Sequence, residues 1–190
     1  MCSTHVYMDA VREGHAVTYH DIGRVVFGEQ DNTRHSERVQ AISALFHQAD
    51  IPHEIPADML RAHWAKFMLN VGVNQTSAVL RAPFSTFHHD AHARAVTLTA
   101  MREVVALSQT AGIGLTQEDL DRAMRIIDAL APGAKTSMLQ DIEAGRETEV
   151  DIFGGAVIAL GQRYGVPTPV NQTLFDLIKV MEASNRTSTA

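Results

Sequence analysis

Apolar residues recur along this chain with two different periods, and the change falls near residue 56. Before it, His15-Ala-Val-Thr-Tyr-His20 and Gly23-Arg-Val-Val-Phe-Gly28 are short β-branched and aromatic runs bounded by glycine and aspartate. They predict two adjacent strands. From Ser36 to Phe46, the residues Val39, Ile42, Ala44, Leu45 and Phe46 keep rough helical spacing, which predicts a helix of about three turns. Ile51-Pro-His-Glu-Ile-Pro56 is held extended by its prolines, as a short strand or a linker. Strand, strand, helix, strand is an incomplete α/β unit.

From Ala57 the period is helical almost to the end, with helices predicted near 57–80, 89–111, 117–130, 137–144, 149–164 and 172–184. Thr116 stands where an N-cap belongs, Gly112 and Gly114 follow one helix, and Ala131-Pro-Gly133 stops the next. Ser137 to Gln140 and Thr148 to Asp151 have the spacing of capping boxes. Gly165-Val-Pro-Thr-Pro169 forces an extended break before Asn171, placed to cap the last helix. Gly154-Gly155 in mid-helix predicts the close approach of another helix. The expected organisation is an α/β segment at 1–56, a helical domain at 57–184 and a polar tail at 185–190. The fold class is mainly α.

Composition narrows the range of function. With 190 residues the chain can bury a core without staples, and its single cysteine, Cys2, forms no bridge within the chain. No apolar run approaches the roughly 18 residues of a membrane span, and the N-terminus lacks signal-peptide order, so a cytoplasmic protein is expected. A formal charge of -6 disfavours nucleic-acid partners but leaves room for a local cationic pocket.

The most informative helix is the one at 57–80. At about 100° per residue, Lys66, Asn70 and Asn74 fall near 0°, 40° and 80°, with His63 near 60° and Ser77 near 20°. Leu60, Trp64, Phe67, Met68 and Val71 flank this stripe on one side, and Ala62, Leu69 and Val73 on the other. A solvated face is usually broader and richer in Glu and Lys, so the narrow band suits the floor of a cleft. There a desolvated lysine has a lowered pKa and can protonate an oxygen gaining charge. The plainer readings are a surface stripe, or buried asparagines bonded to neighbouring loops.

Ser137 and Glu149 lie 12 residues apart, near the starts of two successive helices, and both can point into one pocket. Free N–H groups beside Ser137 suit a carboxylate ligand. Glu149 has an alternative, that of an acid offsetting a helix dipole. His88 and His92 would share a face if their helix begins by His88, but no cysteine or paired carboxylate completes a metal site, so no metal is expected. Arg102, Arg122 and Arg125 read as solvated positions with acidic neighbours.

Together, His63-Trp-Ala-Lys-Phe-Met-Leu-Asn-Val-Gly-Val-Asn74 and Lys135-Thr-Ser-Met-Leu-Gln-Asp-Ile-Glu-Ala-Gly-Arg-Glu-Thr-Glu-Val-Asp151 resemble the two signature stretches of the ketopantoate reductase family. Gly165-Val-Pro-Thr-Pro-Val-Asn171 is similar to the same family's run before its last helix. The resemblance implies an all-helical C-terminal domain, like that of 6-phosphogluconate dehydrogenases, behind the tail of a Rossmann domain. It implies NADPH-dependent reduction of 2-dehydropantoate to pantoate, a step toward pantothenate. Lys66 would be the general acid, Asn70 and Asn74 would line the substrate site, and Ser137 and Glu149 would hold the substrate, with Glu149 accepting from its primary hydroxyl.

One departure stands out. The family's G-x-G-x-x-G is not found in these residues, and Gly154-Gly155 falls inside a predicted helix. The cofactor-binding residues are therefore not identified, no cofactor is expected to bind tightly, and the chain alone is expected to be inactive. Where the family has polar substrate contacts past the first stretch, this chain has Arg81-Ala-Pro-Phe84. That leaves room for a different 2-oxo acid. The competing class is a non-catalytic helical module for ligand binding or association, and a homodimer is expected to cover apolar surface in either case.

Overall fold

The computed structural model describes residues 1–6, 10–19 and 22–188. The chain divides into two compact units, Met1–Lys66 and Phe67–Ala190.

In the first unit the middle strand is β4 (Arg24–Gly28), paired antiparallel with β1 (Cys2–Val6) and parallel with β5 (His53–Glu54). A parallel pair needs a crossover, which α1 (Glu37–Gln48) supplies. Ser36 caps α1 by accepting the Val39 N–H, and Val39 is fully buried. Phe27 meets Phe46 edge-on at 5.2 Å, joining strand to helix. The Asn32 amide accepts from the Glu29 N–H and donates to the Glu29 and Pro56 carbonyls, which holds the β4–α1 turn against the run after β5. The two strands expected to be neighbours are not. β3 (Ala16–Tyr19) pairs instead with β2 (Ala10–Glu13), in a hairpin turned by Gly14 at φ 61°. Hydrophobic pattern alone does not mark β1, whose partner β4 lies about twenty residues on along the chain.

The second unit is helical. α2 (Met59–Leu80) begins in the first unit and continues unbroken into this one. α5 (Gln117–Ala129) and α6 (Ser137–Glu143) also lie within two residues of expectation. The Asp119 carboxylate accepts from the N–H and hydroxyl of Thr116, as that cap predicts. The helix expected at 89–111 is α4 (Ala91–Thr110), and a short helix that was not expected, α3 (Phe84–His89), precedes it. Asp90 separates them, accepting from the N–H groups of His92 and Ala93. His88 and His92 are therefore on different helices, and the shared face needed for a metal pair is lost.

Three other caps differ from expectation. The cap of α6 is Thr136, which accepts the Leu139 N–H, and Ser137 is the first helical residue. Thr148 and Asp151 form no capping box; a π-helical turn spans Asp151–Gly155 and leads into α7 (Ala156–Tyr164). α8 (Pro169–Ser188) begins at Pro169, the favoured first position for proline, and extends into the segment expected as a tail. Asn171 is thus inside the helix. The Val170 and Asn171 N–H groups are capped by the Glu103 carboxylate of α4, at 2.8 and 3.0 Å.

Buried side chains of α2 (Met68, Val71, Ala78), α4 (Met101, Val104, Leu107), α5 (Ile127) and α8 (Leu174, Ile178) make this unit's core. Two glycines permit close approach. A methyl at Gly72 would sit 2.5 Å from Met101 Cγ and 3.0 Å from the Thr97 carbonyl of α4, and one at Gly154 would overlap Gln75 Oε1 of α2. The Gln75 amide cannot step aside cheaply, because its Nε2 donates to Val71 O at 2.8 Å and to Asn171 Oδ1 at 2.9 Å. Gly154→Ala is expected to cost about 1–3 kcal/mol in urea unfolding, whereas Gly133→Ala, with nothing within 4 Å, is expected to be near neutral. Equal midpoints for the two variants would contradict the packing described.

Candidate functional site

α2 presents Lys66, Asn70 and Asn74 at intervals of four residues along one continuous helix. Lys66 is half-buried, and its ammonium donates to Thr4 Oγ1 of β1 at 2.6 Å. Burial disfavours the charged form and lowers the lysine pKa from its usual value. Toward its C-terminal end α2 is enclosed, every residue from Val71 to Ala78 being buried. Polar groups there must find partners, and most do. Thr76 donates to the Gly72 carbonyl, Ser77 to the Asn74 carbonyl, and Gln75 to Asn171.

Asn74 is the exception. The residue is 7% exposed, and its side-chain amide bonds nothing among the described residues but keeps some access to solvent. Asn70, one turn earlier and half-buried, likewise pairs with nothing through its amide among the described residues. Two amides ready to bond and lying on one helix face are what a small polar ligand requires.

Two segments seated on this part of α2 carry the other expected residues. Ser77 Oγ meets Thr136 Oγ1 in a short hydrogen bond, so the cap of α6 is tied to α2 and Ser137 follows it directly. The π-helical turn packs Phe153 against Phe67, ring centroids 6.4 Å apart, and Gly154 against Gln75. Glu149 lies just before that turn. Ser137 and Glu149 are both exposed, so the structure brings their segments to α2 without pairing their side chains to the asparagines. Of the residues flanking the stripe in the second unit, Met68, Val71 and Val73 are buried, and Phe67 and Leu69 are half-buried.

Several polar residues here were not picked out from sequence. Thr136 was hidden by the neighbouring Ser137, an equally good cap residue. Glu103 had a visible signal, an acid in step with the buried Ala100 and Leu107 on one face of α4. Lys179 and Glu182, three apart on α8, resemble an ordinary solvated pair, yet Glu182 is buried. His88 Nε2 pairs with the Ile127 carbonyl at 3.0 Å, and among the described residues no group of His, Cys, Asp and Glu is placed to hold a metal ion. No described helix is long and apolar enough to cross a membrane.

Comparison with known proteins accords with this geometry. The profile described as "Ketopantoate reductase PanE/ApbA C terminal" matches residues 58–182. The chain belongs to the ketopantoate reductase family, and the part of that family it carries is the helical C-terminal domain. A 2-dehydropantoate 2-reductase of Pyrobaculum aerophilum is 32% identical over 120 residues, covering 63% of this chain and 43% of that protein. The crystal structure of a PanE/ApbA family ketopantoate reductase from Ralstonia eutropha JMP134 superposes with a TM-score of 0.82 at 26% identity, over 97% of this chain and 59% of that one. D-mandelate dehydrogenase, solved with NADH and anilino(oxo)acetate, shares the fold at a TM-score of 0.84 and 21% identity, over 94% of this chain and 59% of that one. The chain spans about half the length of the curated relatives it matches.

Burial of Lys66 has a measurable consequence whose sign is fixed. Desolvation penalises the ammonium, so the proton leaves at lower pH than from a free lysine, and the neutral amine is correspondingly more abundant at any given pH. With the lysines reductively methylated using carbon-13 formaldehyde, the Lys66 dimethylamino resonance should titrate below the usual lysine range. Titration at or above that range would show that burial does not govern this group.

Proposed function

We propose that this chain is the substrate-holding and proton-donating part of an NADPH-dependent reductase that converts 2-dehydropantoate to pantoate, a step toward pantothenate. Family membership supports the class of reaction. The observation that carries the site is the pair of side-chain amides, Asn70 and Asn74, that bond nothing among the described residues and lie on the same helix as a lysine whose pKa burial lowers.

In this reading the reduction turns the C2 carbonyl oxygen into an alkoxide, and Lys66 Nζ gives it a proton as the charge develops. The neutral amine then regains a proton from solvent. Asn70 and Asn74 donate their amide N–H groups to the acid, Ser137 bonds its carboxylate, and Glu149 accepts from its primary hydroxyl. The glycines of this chain do not fit a dinucleotide: Gly154 and Gly155 lie in the π-helical turn, against Gln75 and Phe175. The hydride source is accordingly assigned no residue here, and the 190-residue chain alone is proposed to be inactive.

A second reading keeps the chemistry and changes the acid. At the start of α3 stands Phe84, buried in the core, where the resemblance leads one to expect a polar contact. D-mandelate dehydrogenase shows that the same fold serves another 2-oxo acid partner. A bulkier or less polar 2-oxo acid would then be preferred.

These readings are tested by joining the chain to a dinucleotide-binding domain of its family and following NADPH oxidation with 2-dehydropantoate and with phenylglyoxylate. Turnover of 2-dehydropantoate supports the first reading, and preference for phenylglyoxylate the second. Lys66→Ala is expected to lower kcat by about 10²–10⁴-fold, the range for loss of a general acid. Near-normal kcat in that variant would remove Lys66 from the reaction.

A further inference from the structure

Glu149 lies in the irregular connection between α6 and the π-helical turn. The residues around it are nonetheless tied down, and α8 supplies the side chains that tie Thr148 and Asp151. Thr148 donates both its backbone N–H and its hydroxyl to one oxygen, Glu182 Oε1, each at 2.8 Å. Asp151 accepts from Lys179 Nζ at 2.7 Å, and the same ammonium reaches Glu182 Oε2 at 3.1 Å. Thr148 Oγ1 in turn accepts the Val150 N–H at 3.2 Å. Between these anchors Glu149 is exposed, and its carboxylate has no hydrogen-bond partner among the described residues.

Packing does not require an acid at Glu182. The two inward positions of α8 just before it, Leu174 and Ile178, are apolar, whereas Glu182 is a carboxylate at 4% exposure. A charge so placed is costly unless its lone pairs are filled. Burial pushes the Glu182 pKa up, but the bonds from Thr148 and Lys179 outweigh this and hold it below the usual range. All these donors belong to the Glu149 connection or to the lysine that holds Asp151. The function of the buried charge is therefore to be sought in that connection.

We infer that Glu182 is a positioning residue for Glu149. Through Thr148 on one side, and through Lys179 and Asp151 on the other, it fixes the backbone so that a free carboxylate meets the hydroxyl of a small hydroxylated acid in one place. The ordering entropy of the loop is then met on folding and not on binding, which strengthens the bound state without adding a contact. The inference rests on the proposed role of Glu149 in holding the substrate.

Two measurements on the 190-residue chain separate the latch from the ligand. The first is amide hydrogen exchange at residues 148–150, which needs no ligand. Glu182→Gln is expected to speed exchange there about tenfold while leaving the core amides of α4 protected. Unchanged exchange would overturn the inference. The second is calorimetric titration with pantoate. Glu182→Gln is expected to weaken binding about tenfold in the wild-type background and less than twofold in a Glu149→Gln background. Equal weakening in both backgrounds would show that Glu182 does not act through Glu149. Thr148→Val guards against misfolding of the Glu182 variant: it should weaken binding in the same way, and Thr148→Ser should restore what Thr148→Val loses. If the wild-type chain binds no pantoate, the proposed substrate fails, and the exchange measurement alone decides whether the latch exists.

Discussion

The second unit depends on one buried polar chain. The Glu103 carboxylate of α4 accepts the first free N–H groups of α8 and the Asn171 Nδ2, the last at 2.6 Å. Asn171 also donates to the Ala100 carbonyl at 3.1 Å and accepts from Gln75 Nε2 of α2 at 2.9 Å. Three helices are thus joined through side chains that are almost entirely removed from water. In a low-dielectric interior, such a network is worth having only when its members are paired, since a half-paired one is costlier than apolar packing. Among the described residues, Gln75 Oε1 is the one buried side-chain atom without a conventional partner, and it faces the Cα of Gly154, where only a weak C–H contact is available.

The consequence is that the roll of α2 about its own axis is fixed. A turn of one residue, about 100°, would take Gln75 away from Asn171 and leave both amides buried and unpaired. Gly72 against α4 and the Ser77–Thr136 bond reinforce the same setting. Asn74 immediately precedes Gln75, so pairing one side chain inward forces the other toward the face where its amide stays free. The candidate site is in this sense a by-product of the core: the helix is held by one polar residue so that its neighbour can remain unpaired.

What was legible in the sequence follows from how local the cause is. The long helices are set by periodicity within a single segment, and α2, α5 and α6 are found where that pattern puts them. Lys66, Asn70 and Asn74 stand out for the same reason, being three residues of one helix. Gly154 announces a close approach, though not the identity of Gln75 as the neighbour. Features that depend on distant partners were not legible. β1 pairs with β4, Glu103 caps a helix that starts 66 residues after it, and Thr148 bonds Glu182, 34 residues on. The cap of α6 is a smaller case: Thr136 and Ser137 are equivalent locally, and the bond to Ser77 selects Thr136.

Lys66, the proposed proton donor, lies on the same helix, α2, as Asn70 and Asn74. The most direct test is the pH dependence of kcat for 2-oxo acid reduction, measured on this chain joined to a dinucleotide-binding domain and compared with its Lys66→Ala variant. The account predicts a rate that falls as pH rises through the burial-lowered pKa of Lys66, with that limb missing from the variant. The same basic limb in the variant would contradict it, because some other group would then be giving the proton.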